Sequence, residues 1–424
     1  MNQQVEGSIL SRQQQMMVLE SLGRLIMHKY VVANVATQAA DEILSHMTRG
    51  DYDLPPAEFA DAVTRDLQDI TADHHLRVVY DPDRIDRMRN PGTQDNQALP
   101  KELARLNNHG FEQIKRLKGN IGYVDIRHFF PPEISGHSAA AAMRLIADSD
   151  AVIIDLRNNT GGNPGMVQFL CSYFIGGSKP VHLNSITSRP QGTTTEYWTI
   201  PEVPGKRMPD LDLTILTSSH TFSGGEEFAY NLKHLNRAKL IGETTAGGAN
   251  PAGIDIIDEN FYVTIPHATP INPVTGTNWE GGGVKPHVEV HATKALRIAH
   301  TQALSRLIDA ASDEVAKKKL QWLLEEVVSC YCPLTLTASM LERHVGRYGD
   351  SGVSLEDDTL IYHRRFFRYR LIPLTETTFW LDGPVAGFES RLDFVSDESG
   401  AVSQIVGRFP DGRSVMKKRL SAGQ

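Results

Sequence analysis

The 424 residues carry 43 Lys and Arg against 51 Asp and Glu, a formal net charge of −8, with 40% apolar and 22% charged positions. That balance belongs to a globular chain of two or three domains; it lacks the clustered basic residues that phosphate backbones require, so nucleic acid is not an expected partner. No stretch approaches the roughly 20 apolar residues of a transmembrane helix. The opening MNQQVEGSIL has neither a basic nor an apolar leader segment, so the compartment stays open: cytoplasmic as written, periplasmic or secreted if a signal has been removed. Three cysteines, Cys171, Cys330 and Cys332, fit neither a disulfide framework nor a zinc site, and no metal or cofactor is expected.

Residues 10–75 read as helices, from the apolar spacing of MMVLESLGRLIMHKYVV and FADAVTRDLQDI, with RGDYDLPP as a break between them. Residues 81–118 are polar, hold Pro82, Pro91, Gly92 and Pro100, and read as a linker with one short helix. From 119 onward, strands alternate with helices: IGYVDIRHF, then GHSAAAAMRLIADSD, AVIIDLR, MVQFLCSYFIGG, LDLTILT, EEFAYNLKHLN and AKLIG. Short apolar strands separated by helices predict βαβ units around a buried, mostly parallel sheet. Residues 253–290 are strand-rich and 294–331 helical. Beyond about 334, six or more short strands predict a small antiparallel barrel or sandwich. The expected division is therefore a helical region 1–80, a linker 81–118, an α/β core with trailing helices 119–331, and a β domain 332–424.

Four segments could carry chemistry. In TSSHTFSGGEEF, residues 217–228, a strand runs into a small-residue turn and then a helix. Ser223 at that junction would expose a hydroxyl at a positive helix end, with the Gly224 N–H close by. An acyl-transfer nucleophile needs both. The plainer reading is a helix cap, with Glu226 as the capping-box acid. In DLRNNTGGNPG, residues 155–165, a buried strand ends in a turn with Gly161 and Gly162, able to present N–H groups to an anion, or simply an ordinary strand-to-helix turn. It matches neither phosphate-loop pattern. DHHLRV, residues 73–78, holds adjacent histidines, of which at most one can face inward. NWEGGGVKPHVEV, residues 278–290, places Glu280 on a glycine-rich rim.

As a set, in this order, these segments resemble the tail-specific, or C-terminal-processing, serine peptidase family. The nearest branch is that of the tricorn core protease and the repeats of interphotoreceptor retinoid-binding protein. SSHTFSGGEEFAYNLKHLNRAKLIGETTAGGANPAG carries most of the resemblance, which covers about residues 10–310. It implies an α/β fold with a core like the Clp protease and crotonase spiral of βα units. It also implies peptide-bond hydrolysis through an acyl-enzyme, with a peptide or protein as substrate. Ser223 falls at the nucleophile, with Gly224 and one of Gly161 or Gly162 as oxyanion donors. Where one branch carries a lysine base this chain has Gly248, so the resemblance points to His75 as base, with His74 beside it, and Glu280 as orienting acid.

The chemistry of the transfer is coherent. A serine hydroxyl needs a neighbouring base, histidine suits the task near neutral pH, and an acid on its far nitrogen fixes the tautomer. Two departures stand out. Residues 81–118 are too few and too polar for a PDZ module, and His287 stands where relatives often have Asp. Three rivals remain: a catalytically silent carrier of apolar ligands on the same scaffold, a crotonase-like acyl-CoA enzyme, and His220 as the base. Homo-oligomerisation is left open.

Overall fold

The computed structural model describes residues 9–90, 95–383 and 390–421. They form two compact units, Met1–Arg116 with Gly122–Leu296, and Leu117–Ile121 with Arg297–Gln424.

The first unit begins with three helices, Arg12–Lys29, Ala33–Arg49 and Pro56–Thr71. Their ends carry ordinary signals: Ser11 caps the first through the Gln14 N–H, Gly50 ends the second at φ 86°, and Pro56 opens the third. The apolar stripe Val18, Leu19, Leu22 and Ile26 is buried, as its spacing requires. Its cover is Phe261, Val263 and Ile265, alternate residues of one strand. That strand, Phe261–Pro266, is the centre of an antiparallel sheet, flanked by Arg77–Tyr80 and Ala252–Ile256. The sheet fixes the chain immediately after the two histidines.

Beneath it lies the α/β core. Its six-stranded sheet has the order Val288–Glu289, Lys239–Gly242, Asp212–Thr217, Ala151–Asp155, Ile121–Ile126, Phe111–Leu117. The first four strands run parallel to one another. Helices Pro132–Ile146, Pro164–Phe174 and Gly224–His234 pack on it. Ala151–Asp155 and Ile121–Ile126 are buried at every position, which explains runs with no polar alternation. A third sheet joins the hairpin His182–Ser188 and Thr193–Trp198 to Ala268–Ile271.

Residues 81–118 are more regular than their polarity suggests. They hold the helices Pro82–Arg89 and Asp95–Leu106 and then the edge strand Phe111–Leu117. Pro82 sits at a helix start, where a missing N–H is harmless, while Pro100 lies inside the second helix. Pro91 and Gly92 fall outside the described residues.

In the second unit, the helix Glu314–Tyr331 precedes an up-and-down sheet of eight strands among the described residues: Gly346–Tyr348, Ser351–Glu356, Thr359–Arg364, Phe367–Pro373, Thr378–Asp382, Arg391–Ser396, Val402–Arg408 and Ser414–Lys418. Every neighbouring pair is antiparallel. The first and last strands meet through a Tyr348–Arg419 bridge, with the Leu420 N–H donating to the Arg347 carbonyl at 2.9 Å. The sheet thus closes nearly into a barrel around Tyr348, Leu371, Phe379 and Phe394. No helix among the described residues is long and apolar enough to cross a membrane.

Candidate active site

Ser223 ends the turn that follows the strand Asp212–Thr217 and caps the helix Gly224–His234. Its backbone has φ 53° and ψ −120°, a conformation that a residue with a side chain rarely adopts. Such a position costs on the order of 1–3 kcal/mol and persists only where the surroundings over-determine it. Glu226 supplies much of that constraint. Wholly buried, it accepts the Ser223 N–H at 2.8 Å, the Gly247 N–H at 2.7 Å, the Gly248 N–H at 2.9 Å and the Thr245 hydroxyl. Burial raises its pKa, and these four donors oppose the rise. The capping acid is therefore also the clamp that joins the serine turn to the loop 245–248.

Asn159 performs the same service on the other side. Its amide donates to the Ile126 carbonyl at 2.9 Å, its Oδ1 accepts the Gly161 N–H at 2.8 Å, and its backbone carbonyl accepts the Phe222 N–H at 3.0 Å. The glycine pair is pressed against the serine. A Cβ on Gly161 would lie 2.7 Å from Ser223 Cβ and 2.9 Å from the Gly224 nitrogen; one on Gly162 would lie 2.2 Å from the Phe129 carbonyl oxygen. Both glycines have φ between 94° and 131°, so two separate constraints exclude a side chain. The Gly161 N–H is engaged by Asn159, whereas the Gly162 and Gly224 N–H groups find no acceptor among the described residues. Two free donors therefore flank the serine.

His75 reaches the same place from the N-terminal region. The helix Pro56–Thr71 ends at Ala72 in the left-handed conformation, and Asp73 Oδ1 accepts the His75 N–H at 3.0 Å in an Asx turn. The Thr264 hydroxyl donates to the His75 carbonyl at 2.7 Å. This turn sends the two imidazoles apart: His74 is exposed, while the His75 side chain is only 13% exposed. The His75 ring lies over Phe222, the residue before the serine, with centroids 4.4 Å apart. Gly248 leaves room for both. A Cβ there would come within 2.1 Å of Phe222 Cε2 and 2.9 Å of His75 Cε1.

Glu280 completes the group. Its Oε2 accepts the Ala249 N–H at 2.6 Å and the Asn250 N–H at 3.0 Å. Its Oε1 is buried without a partner among the described residues, and so is His75 Nδ1. Burial, and next the Asp73 charge, push Glu280 up to about 7, with its two backbone donors and His75 pulling the other way. Asp73 itself is 1% exposed; it stands 3.6 Å from His75 Nδ1 and accepts the Asn250 amide at 3.2 Å. Tyr30 is raised by burial and then by Asp73. Asp73, Asn159 and Phe222 carry no role legible in the sequence patterns, and Glu226 reads there only as a capping acid. Asp73, next to the histidines in DHHLRV, has the most readable local signal.

His220 is exposed, three residues before Ser223. His287 acts in the sheet: its Nδ1 accepts the Leu240 N–H at 2.9 Å, and burial followed by Lys233 and Lys239 keeps its pKa low. A neutral ring accepting a backbone N–H is one account of a histidine at that place.

Glu227, beside Glu226 on the helix, faces the core and is pushed up to about 7 by burial, with Asn184 Nδ2 at 3.1 Å as its donor. A folded pKa above the unfolded value of about 4.5 means the native state holds the proton longer. Stability from this group is full below pH 4.5 and lost as pH rises to about 7, by roughly 3 kcal/mol. Asn184 Oδ1 is buried without a partner among the described residues, so an amide at 227 could supply one. Glu227→Gln is therefore expected to raise Tm at pH 8 and to leave it nearly unchanged at pH 4.5. An equal shift at both values would contradict the assignment.

The family model "Peptidase family S41" matches residues 120–290, and the model "N-terminal domain of Peptidase_S41 in eukaryotic IRBP" matches residues 6–114. A protein of Staphylococcus aureus strain COL named "Probable CtpA-like serine protease" is 28% identical over 181 residues, 42% of this chain and 34% of that protein. One of the same name from Staphylococcus epidermidis is 24% identical over 250 residues, 56% and 49% of the two chains. The chain spans about a third to a half of the length of these curated relatives. Among solved structures, the photosystem II D1 C-terminal processing protease is 16% identical, with TM-score 0.44 over 67% of this chain and 94% of that one. The tricorn protease is 14% identical, with TM-score 0.44 over 75% and 37%. With both models matched in order along more than half of its length, the chain belongs to peptidase family S41.

Proposed function

We propose that the chain hydrolyses peptide bonds as a serine peptidase, with Ser223 as nucleophile, His75 as its base and Glu280 as the acid that orients the base. The observation that carries this reading is the strained Ser223 turn between two free N–H donors, with a buried imidazole standing over the preceding residue. Strain that places a hydroxyl at a strand-to-helix turn is the device of a nucleophile elbow. A helix cap alone has no need of it, because ordinary caps use extended backbone.

The steps follow from the groups. Ser223 Oγ attacks the scissile carbonyl as His75 takes its proton. The resulting oxyanion is received by the Gly162 and Gly224 N–H groups; Gly161 is set aside because its N–H is engaged. The imidazolium then gives its proton to the leaving amine, and water repeats the sequence on the acyl-enzyme. Glu280 Oε1 and His75 Nδ1 are unpartnered groups of complementary kind, and the Glu280 charge senses His75. Asp73 lies against the same ring nitrogen and is a positioning residue beside it. The space a lysine at 248 would need is taken by Phe222 and His75, which favours histidine as base.

A fluorophosphonate probe tests the reading directly. Wild-type protein is expected to be labelled once, on the peptide holding Ser223. Absence of labelling in the folded protein, or labelling at another serine, would defeat it.

A further inference from the structure

The eight-stranded barrel is not packed solid. Leu360, Leu371, Phe379 and Phe394 fill part of its interior. At the end carrying the turns 349–350, 365–366 and 409–413, inward positions on successive strands surround a cavity of about 400 Å³. Tyr362, Tyr369, Leu381, Leu392 and Ile405 form its wall. The volume lies within the roughly 300–1,000 Å³ of small-molecule sites, and an eight-stranded barrel is the size that holds one such ligand.

The charge around this cavity is one-sided. Arg364, Arg365, Arg391 and Lys417 line it, and among the described residues no carboxylate does. Nearby acids meet three of the four cations, and Lys417 also donates to the Ser351 and Tyr362 hydroxyls. Asp350 lies 2.5 Å from Lys417 and 3.9 Å from Arg364, and Glu325 lies 2.8 Å from Arg391. Arg365 has no ion pair among the described residues.

A second observation is independent of charge. Ser390 lines the cavity at 5% exposure, and its hydroxyl has no partner among the described residues; the Arg391 Nε is likewise buried and unpaired. A buried donor without an acceptor is costly to leave so, and an anionic oxygen in the cavity would satisfy both.

We infer that the barrel binds one apolar carboxylate of the fatty-acid class. The acyl chain lies along Leu381, Leu392 and Ile405, and the carboxylate lies at the basic end near Ser390 and Arg391. A peptide fits less well. The first and last strands already meet through the Tyr348–Arg419 bridge, which leaves little edge for an added strand.

Calorimetric titration of the full chain with dodecanoate, below its micelle concentration, tests this. Saturable binding of one molecule per chain is expected. Dodecanol and dodecyltrimethylammonium, which share the tail, should bind at least tenfold more weakly. Gly407→Leu fills the cavity without backbone strain, since a Cβ there meets only the Val415 carbonyl oxygen at 3.7 Å. It should weaken dodecanoate at least tenfold while Tm and fluorophosphonate labelling stay unchanged. Ser390→Ala, which removes the buried hydroxyl without a partner among the described residues, gives a second arm, with an expected loss of about tenfold for dodecanoate and little change for dodecanol. Absent saturable binding, equal binding of the cationic amphiphile, or full affinity in a folded Gly407→Leu protein would overturn the proposal. So would displacement of dodecanoate by a peptide with an apolar C-terminal residue.

Discussion

Ser223→Ala is expected to lower peptide turnover by on the order of 10⁶-fold while leaving Tm within a degree or two of wild type. The size of the loss follows from the role: with no nucleophile, only binding and the oxyanion donors remain, a residue of about 10³–10⁴ over water. The unchanged stability follows from the geometry. Alanine keeps the Cβ, so the φ 53° backbone is no more strained than before, and the Ser223 N–H bond to Glu226 is a main-chain contact that the substitution does not touch. Turnover of a fluorogenic peptide mixture and a thermal melt measure the two halves. A variant that retains a tenth of the activity would remove the hydroxyl from the mechanism; one that fails to fold would show that the serine's work is structural.

The parts of this site that could be read in the sequence are those fixed by local backbone chemistry. TFSGGE announces a strand, a turn and a helix, and NNTGG announces a turn that only glycine can make; the close approach of Gly161 to Ser223 is what that pattern encodes. The alternation of apolar strands and helices between 119 and 242 likewise translated directly into the parallel sheet, because strands buried on both faces leave no polar positions. Other parts depend on contacts between distant segments. Arg77–Tyr80 is four residues long and becomes a strand only by pairing with Phe261–Pro266, yet it sets where His75 sits. The hairpin 182–198 is polar along one strand and carries no periodic signal. Glu226 looked like a simple cap because the sequence reveals its neighbour at 223 but not the loop 245–248 that it also holds. Asn159 is invisible for the same reason: beyond the Gly161 N–H of its own turn, its partners Ile126 and Phe222 come from distant segments.

His75→Ala should lower kcat/KM by on the order of 10⁴-fold or more, whereas His220→Ala should stay within about threefold of wild type. The contrast rests on placement. His220 is exposed at the surface, while His75 is held by the Asx turn at Asp73, by Thr264 and by the ring of Phe222. Since His75 also packs on Phe222, its truncation could act through structure alone, so a second readout is needed. Added imidazole should restore part of the activity of a folded His75→Ala protein if a base is what was lost, and none if the loss was packing. Glu280→Gln refines the test. The active form requires Glu280 ionised, which rising pH favours. Wild-type kcat/KM is therefore expected to climb through about pH 7, the value to which burial and Asp73 raise this carboxyl, and then to level off. In Glu280→Gln the amide keeps the bonds from the Ala249 and Asn250 N–H groups but presents a donor, not an acceptor, toward His75 Nδ1. That favours the tautomer with its proton on the nitrogen meant for the serine, the way an orienting amide disables other triads. The expected result is a fall of about 10²–10⁴-fold, smaller than for Ser223→Ala, with Tm preserved. An unchanged rate in Glu280→Gln would transfer the orienting role to Asp73, whose Oδ1 lies 3.6 Å from the same ring nitrogen.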